Sequence, residues 1–176
     1  FDGNVKLKII KLPEKLQIIG NSAFGGCEKL EINQIPESVN SIGECAFQGC
    51  MNIKKFIFPR KIKKIGDAVL CSNREIRNIK LPLNLKIISA LAFHGCKNLK
   101  QLNIPKSVTI VNMSAFSGSG LKKIDLPKNV ESIRNGDEGQ RVFECVYPGV
   151  DFPTKNLRVI EIQSKKLTKI EKNSFG

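Results

Sequence analysis

The stretch SIGECAFQGC, residues 41–50, decides the fold because close copies of it recur along the chain. Residues 18–27 read IIGNSAFGGC, and residues 87–96 read IISALAFHGC. Prolines recur at the same interval of 23 residues, with a last interval of 22: Pro13, Pro36, Pro59, Pro82, Pro105 and Pro127. A fixed period in this range is typical of a solenoid, in which one repeat forms one coil.

Four apolar positions in each repeat predict the core. They lie six residues and one residue before the proline, and three and six residues after it; around Pro105 they are Leu99, Ile104, Val108 and Val111. Short alternating apolar runs interrupted by Pro and Gly predict two short strands per coil, joined by tight corners. No segment of ten or more residues has helical periodicity, so we expect little helix. The sequence therefore predicts a mostly β solenoid of about seven 23-residue coils.

A phenylalanine follows the second predicted strand of most repeats. Seven of the ten Phe share this position: Phe1, Phe24, Phe47, Phe93, Phe116, Phe143 and Phe175. Stacked coils would place these rings above one another inside the solenoid, where each buried ring contributes about 2–3 kcal/mol. Leu70 stands where a further Phe is expected, and residues 134–156 make one repeat about 13 residues too long. We expect less regular stacking at both places.

Three of the six cysteines share a position three residues after the Phe: Cys27, Cys50 and Cys96. In other repeats the same position holds Asn4, Asn73 and Ser119. All three residue types are small and can donate a hydrogen bond. We therefore expect this column to satisfy backbone carbonyls at a corner of the coil, with its thiols buried and reduced. A disulfide between Cys27 and Cys50 is the alternative, since their Cα atoms would lie about 5 Å apart in neighbouring coils.

The sequence contains no recognisable catalytic or metal-binding pattern. His94 is the single histidine, whereas a zinc site requires paired cysteines or several histidines. Nucleophilic catalysis requires a nucleophile beside an oriented base, and no such pair stands out. No apolar run approaches the roughly 18 residues that suggest a membrane span. We therefore expect a protein that is not an enzyme and requires no metal or cofactor.

The formal net charge is +13, from 29 Lys and Arg and 16 Asp and Glu. A balance this basic indicates anionic or acidic partners. The position five residues before the proline is basic in six of seven repeats, and its members are Lys8, Glu31, Lys54, Arg77, Lys100, Lys122 and Arg158. The next position adds Lys55 and Lys123. We expect this column to face solvent and to bind a ligand; a merely solvated face of a lysine-rich protein is the alternative.

The long repeat at residues 134–156 contains Tyr147 and Phe152 in a stretch with several Gly and Pro residues. Insertions in repeat proteins form loops at the coil corners, often on a binding face. We expect residues 146–153 to protrude beside the basic column, where the two aromatic side chains would add apolar contacts to a ligand. The alternative is a segment folded over the core with Phe152 buried.

The segment LKQLNIPKSVTIVNMSAF, residues 99–116, resembles the BspA-type, or treponemal-type, leucine-rich repeat. Leu-x-x-Leu-x-Ile-Pro, an Ile-Gly pair and Ala-Phe-x-Gly-Cys recur in that order over nearly the whole chain. The resemblance implies a curved, right-handed solenoid with a role in adhesion or protein binding. It also implies a surface or secreted protein, of a host-associated bacterium or a parasitic protist.

These observations favour a ligand-binding or adhesion solenoid whose basic strand face binds a host or cell-surface protein, or a sulfated glycan or other anionic surface. One alternative is a rigid spacer that presents another domain. Another is nucleic-acid binding by charge alone, which the lack of aromatic residues in the basic columns disfavours. Phe1 and Phe175 place both ends of the sequence at the same point of a repeat, without a polar capping repeat. We therefore expect residues 1–176 to be one solenoid fragment of a longer protein, and the sequence does not predict its oligomeric state.

Overall fold

The computed structural model describes residues 1–134 and 159–170 of the chain, as a stack of coils with short parallel strands. The strands in these ranges are β1 (Ile18–Ile19), β2 (Ser41–Ile42), β3 (Lys55–Ile57), β4 (Asn78–Lys80), β5 (Ile87–Ile88), β6 (Ile110–Asn112), β7 (Lys123–Leu126), β8 (Ser132–Arg134), β9 (Val159–Ile162) and β10 (Lys169–Ile170). A short 3₁₀ helix, Met113–Phe116, is the one helical segment of the described part. The prediction of a mostly β solenoid with little helix is confirmed.

The strands form two parallel ladders, one on each side of the proline. In the first ladder, before the proline, β3 pairs with β4 and β7 pairs with β9. In the second ladder, after the proline, β1 pairs with β2, and β5, β6, β8 and β10 form one sheet. Lys55 lies opposite Asn78 and Ile87 opposite Ile110, so neighbouring strands are one repeat apart. The described residues make about five turns; the remainder of the seven expected coils involves residues outside the described ranges.

The four apolar positions of the repeat form the core, as predicted. In the coil that contains Pro36 they are Leu30, Ile35, Val39 and Ile42, all buried. In the first coil the equivalent Leu7, Leu12 and Leu16 are half-buried, because they pack against a coil on one side only. Each interior coil therefore depends on both of its neighbours for the burial of its apolar side chains.

The phenylalanine column lies in this core. The rings of Phe24 and Phe47 stack with centroids 5.2 Å apart, and those of Phe93 and Phe116 with centroids 6.0 Å apart. Phe1 stacks on Phe24 at 5.6 Å, but its other side is open and the residue is 66% exposed. Phe143 and Phe175 lie outside the described residues. The prediction of a buried column is confirmed for Phe24, Phe47, Phe93 and Phe116, whereas Phe1 stacks on the column but is not buried.

The expectation of irregular stacking at Leu70 is wrong. Leu70 is fully buried, and its amide donates to the Ala92 carbonyl at 3.0 Å. Two further aromatic residues explain how the coil remains packed. Phe56 lies edge-on to Phe47 with ring centroids 5.0 Å apart, and Phe58 lies edge-on to Phe56 at 4.8 Å. We infer that these rings fill the space that the smaller Leu70 side chain leaves.

A left-handed backbone residue turns the chain two residues after the phenylalanine. Most coils use glycine there, with φ between 64° and 69°: Gly3, Gly26, Gly49, Gly95 and Gly118. In the coil of residues 50–72 the position is held by Ser72, with φ 62°. Side chains with a Cβ atom are disfavoured in this conformation, so Ser72 is a strained exception in a regular corner.

Candidate functional site: the basic faces of the solenoid

The column of cysteines and asparagine forms a ladder of hydrogen bonds inside the corner. Each side chain donates to the carbonyl oxygen of a residue 26 positions earlier, in the preceding coil. The donor–acceptor distances are 3.2 Å for Cys27 to Phe1, 3.0 Å for Cys50 to Phe24, 2.7 Å for Asn73 to Phe47 and 3.3 Å for Cys96 to Leu70. The prediction that this column satisfies carbonyls at the corner is confirmed for these four residues.

The thiols of this ladder are buried and unoxidised. Cys27, Cys50 and Cys96 are free cysteines, so the alternative of a Cys27–Cys50 disulfide is wrong. Burial raises the pKa of Cys50 to about 12, with a further contribution from the neighbouring Cys27. Burial also raises the pKa of Cys27 and of Cys96. Thiols that remain protonated at neutral pH are poor nucleophiles and poor metal ligands, so the ladder serves the structure rather than chemistry.

The other potential ligand side chains do not gather into a metal site. His94 is buried, and burial lowers its pKa. Cys71 is also buried and packs with Cys45 and Ala68 beside the main core. Within residues 1–134 and 159–170, no group of three or more His, Cys, Asp or Glu residues is placed to hold a metal ion.

The basic column lies on the exposed side of the first ladder, which we call the first face. Its described basic residues are all exposed: Lys8, Lys54, Lys55, Arg77, Lys100, Lys122 and Lys123. The Glu31 amide donates to the Lys8 carbonyl at 2.8 Å, and the Arg77 amide donates to the Lys54 carbonyl at 2.9 Å. These bonds place residues of the column next to one another on successive coils. The expected solvent-facing row is therefore present.

Acidic side chains are interleaved with this row, which the sequence reasoning did not anticipate. Lys8 pairs with Glu31 at 3.7 Å and Arg77 with Glu75 at 3.9 Å. Lys123 lies 2.9 Å from Glu161 and 3.0 Å from Asp125, and hydrogen bonds to these two carboxylates raise the pKa of Lys123. The first face is thus partly neutralised at both ends and, at Arg77, in its middle.

Four lysines of the first face keep their positive charge. In the part of the chain that the structure describes, no ion pair involves four exposed lysines of this face: Lys54, Lys55, Lys100 and Lys122. The Lys100 ammonium group donates to the Lys97 carbonyl at 3.0 Å. Arg158, Tyr147 and Phe152, and the loop expected at residues 146–153, lie outside the described residues, so their place beside the first face stays a prediction.

A second group of cations lies on the other side of the proline and was missed by the sequence reasoning. It comprises five exposed residues in the turn that leads into the second ladder and at the start of that ladder: Arg60, Lys61, Lys63, Lys64 and Lys86. The run RKIKK at residues 60–64 was the available signal. A basic column compares one position from coil to coil. This group lies mainly along one coil, so a column does not reveal it.

The sequence of the chain matches one known protein family. The sequence model of the BspA type leucine rich repeat region matches residues 1–119 and 63–145, in six copies. The chain belongs to the BspA-type leucine-rich repeat family. No curated protein matches it. Proteins built from these repeats generally serve as scaffolds or binding proteins.

Three solved structures share the solenoid of this BspA-type chain. A leucine-rich repeat protein from Bacteroides ovatus is 24% identical over 95% of this chain and 49% of its own, with a TM-score of 0.60. A leucine-rich repeat protein of T. pallidum is 23% identical over 84% of this chain and 75% of its own, with a TM-score of 0.63. A leucine-rich cell surface protein from Faecalibacterium prausnitzii is 23% identical over 85% of this chain and 44% of its own, with a TM-score of 0.54.

Identities this low show a shared fold and nothing further. The BspA-type chain spans about half the length of the Bacteroides ovatus protein and less than half of the Faecalibacterium prausnitzii protein. Within the described ranges, no helix has the length and apolar character needed to cross a membrane. The surface of the solenoid itself therefore carries the information on ligand and partner.

Proposed function

We propose that this BspA-type solenoid is a non-enzymatic binding module of a surface or secreted protein, and that the first face binds an acidic protein or another anionic partner. The observation that carries the proposal is the row of exposed cations on successive coils. Parallel strands lie about 4.8 Å apart, so the ladder holds these cations at a short and regular spacing. A rigid row of charges can match the charges of a partner without first becoming ordered.

The four lysines of the first face that form no ion pair within the described residues contribute most of the binding in this proposal. Lys54 and Lys55 have no ion pair within the described residues and stand beside Arg77 of the next coil. In an exposed ion pair such as Lys8–Glu31, the carboxylate already neutralises part of the lysine charge. Such a lysine contributes less to the attraction of an anionic partner. Arg158, Tyr147 and Phe152 belong to the proposal as additional contacts at one end of the face.

The surface or secreted location is supported by family membership and by one similar structure. The Faecalibacterium prausnitzii protein of the same fold is described as a cell surface protein. Four buried, reduced thiols in the described residues are compatible with this location, because burial protects a thiol from oxidation. A rigid spacer that presents another domain is the rival proposal, and it requires no ligand for either face.

The test measures binding of poly-L-glutamate, an acidic polypeptide, by isothermal titration calorimetry at several salt concentrations. The first-face variant replaces four lysines with glutamine: Lys54→Gln, Lys55→Gln, Lys100→Gln and Lys122→Gln. A matched control replaces four exposed lysines outside the first face and outside the coils of residues 50–95: Lys15→Gln, Lys128→Gln, Lys165→Gln and Lys166→Gln. Both variants lose the same charge, so a difference between them reports the position of the binding face rather than net charge.

We expect the first-face variant to bind poly-L-glutamate about 10-fold more weakly than the wild type, with the control variant within about 3-fold. Binding should weaken as salt rises, since exposed charges are screened. A wild-type protein that binds no anionic probe would support the rigid spacer. Equal losses in both variants would contradict the assignment of binding to the first face.

A further inference from the structure

The second face is the exposed surface between the proline and the start of the second ladder, in the coils of residues 50–72 and 73–95. Its cations are Arg60, Lys61, Lys63, Lys64 and Lys86, all exposed. Ile62 and Ile65 on either side of Lys63 and Lys64 are fully buried, so the core fixes the backbone from which these lysines project. Four cations within five residues of one coil give this face a higher local charge than any single coil gives the first face.

Backbone pairing brings the two coils of the second face into contact. The Lys86 amide donates to the Lys63 carbonyl at 2.9 Å, and Lys64 forms a parallel bridge with Ile87. Lys63 and Lys86 are therefore neighbours on successive coils, about 4.8 Å apart at the backbone. The charges form a two-dimensional patch, which extends along one coil and across to the next.

The second face is less neutralised than the first. Arg60 pairs with Glu37 at 3.6 Å, and its amide donates to the same carboxylate at 3.0 Å. Over the described residues, no ion pair involves Lys61, Lys63, Lys64 or Lys86. Burial raises the pKa of the Asp67 carboxyl, and the charge of Lys64 opposes that rise. Asp67 thus interacts with one lysine of the patch, and the charges of the other lysines are available to a ligand.

We propose that the second face binds a sulfated polysaccharide. Unpaired lysines on a rigid surface suit a chain of closely spaced anionic groups, because each ammonium group acts as a point charge without a demanding geometry. Leu83 follows Pro82 as Arg60 follows Pro59, and it is 71% exposed. Leu83 therefore offers an apolar contact for a sugar ring beside the charges.

The surface disfavours single-stranded nucleic acid as the ligand. Such binding relies on aromatic side chains on which bases stack. Among the large hydrophobic residues that are exposed in the described part, Phe1 is the one aromatic residue, and it lies at the first coil. The second face has positive charge and an aliphatic side chain, which fits a sulfated sugar better than a base. This inference rests on the proposed function only in so far as both assign anion binding to the solenoid.

The experiment measures binding of a heparin octasaccharide by calorimetry between about 0.05 and 0.3 M NaCl. The second-face variant carries Lys61→Gln, Lys63→Gln, Lys64→Gln and Lys86→Gln, and it is compared with the first-face variant and with the charge-matched control described above. Hyaluronan, a polysaccharide with carboxylates and no sulfates, and an oligothymidylate serve as competing ligand classes. Circular dichroism verifies that all variants remain folded.

We expect the second-face variant to bind the heparin octasaccharide about 10-fold more weakly than the control variant, and to show a smaller dependence of affinity on salt because fewer counterions are released. Equal affinities of the second-face and control variants would overturn the inference. Binding of hyaluronan or oligothymidylate as tightly as heparin would overturn the assignment to sulfated sugars.

The two proposals fail separately in this design. A loss of poly-L-glutamate binding in the first-face variant, without a loss of heparin binding in the second-face variant, would support the proposed function and overturn the further inference. The opposite pattern would support the second face and contradict the role of the first. A wild-type protein that binds neither probe would overturn both.

Discussion

The aromatic corner of the solenoid and its first face are built from the same repeat, yet they tolerate very different substitutions. At the corner, the described members of the phenylalanine column are replaced only by Leu70, and the hydrogen-bonding position holds Cys, Asn or Ser. On the first face, the position five residues before the proline accepts Lys, Arg and the oppositely charged Glu31. Burial restricts size and hydrogen bonding at the corner, whereas solvent permits either charge on the face. Stability should therefore depend on the corner, and ligand binding on the faces.

Among the substitutions at the corner, Phe47→Ala should destabilise the protein most. The Phe47 ring contacts Phe24 at 5.2 Å and Phe56 at 5.0 Å and is fully buried. Its removal opens a cavity between coils, and we expect a loss of about 3–5 kcal/mol in the free energy of unfolding. Urea denaturation measures this loss. Phe1→Ala is the matched control, since Phe1 belongs to the same column but is 66% exposed. A loss below about 1 kcal/mol for Phe47→Ala would show that the corner does not carry the stability.

Alkaline pH should lower the free energy of unfolding through the corner, whereas stability at neutral pH should be unaffected. The pKa of Cys50 is about 12 in the folded protein, against an ordinary value of 9.0. The unfolded chain therefore loses this proton first as pH rises, so stability is complete below about pH 9 and falls between pH 9 and 12, by about 1.4 kcal/mol per pH unit for this thiol.

The variant Cys50→Asn isolates this effect, because Asn73 already fills the equivalent position in the next coil and donates the same kind of bond. Urea denaturation at pH 8.5 and pH 10.5 should show the wild type losing about 2 kcal/mol more than the variant over that interval. Equal losses would mean that the Cys50 thiol titrates normally and is not protected by the fold.

The smallest expected effect concerns the strained turn residue of the corner. Ser72 has φ 62° where other coils place glycine, as at Gly49 with φ 65°. Ser72→Gly should stabilise the protein by about 0.5–1 kcal/mol, and Gly49→Ser should destabilise it by a similar amount. Thermal unfolding of the two variants measures both shifts. A destabilised Ser72→Gly variant would show that the serine side chain contributes more than its backbone strain costs.

The sequence predicted the corner better than the faces, for a physical reason. Buried positions recur with the period of the backbone, so Cys27, Cys50 and Asn73 could be assigned to one ladder from their spacing alone. Charge pairing on the surface follows no period. Glu75 pairs with Arg77 of the same coil, whereas Glu161 pairs with Lys123, which lies 38 positions earlier in the sequence. Such pairs depend on the three-dimensional positions of the side chains, and the repeat pattern of the sequence does not give these positions.

The departure at Leu70 shows a second limit of reasoning from columns. The smaller side chain suggested a break in the stack, but Phe56 from another position of the same coil packs against Phe47 of the column, and Phe58 packs against Phe56. A well-packed coil requires a total side-chain volume that fills its interior, and it does not require the same residue at each position. Reading whole coils, including the run at residues 60–64, would have predicted both the intact core and the second basic face.

The hydrogen bonds of the corner ladder have a consequence for how such a protein can change in length. Every donor reaches back 26 residues, from one coil to the coil before it, and never skips a coil. Removal or duplication of 23 consecutive residues would therefore recreate the same type of junction on both sides of the cut. A shift by a number that is not a multiple of 23 would separate each donor from its acceptor and turn buried side chains outward. Recombination between copies of the repeat can thus lengthen or shorten the solenoid in whole coils. Each such step changes the distance between the basic faces and the ends of the solenoid while the core packing stays the same.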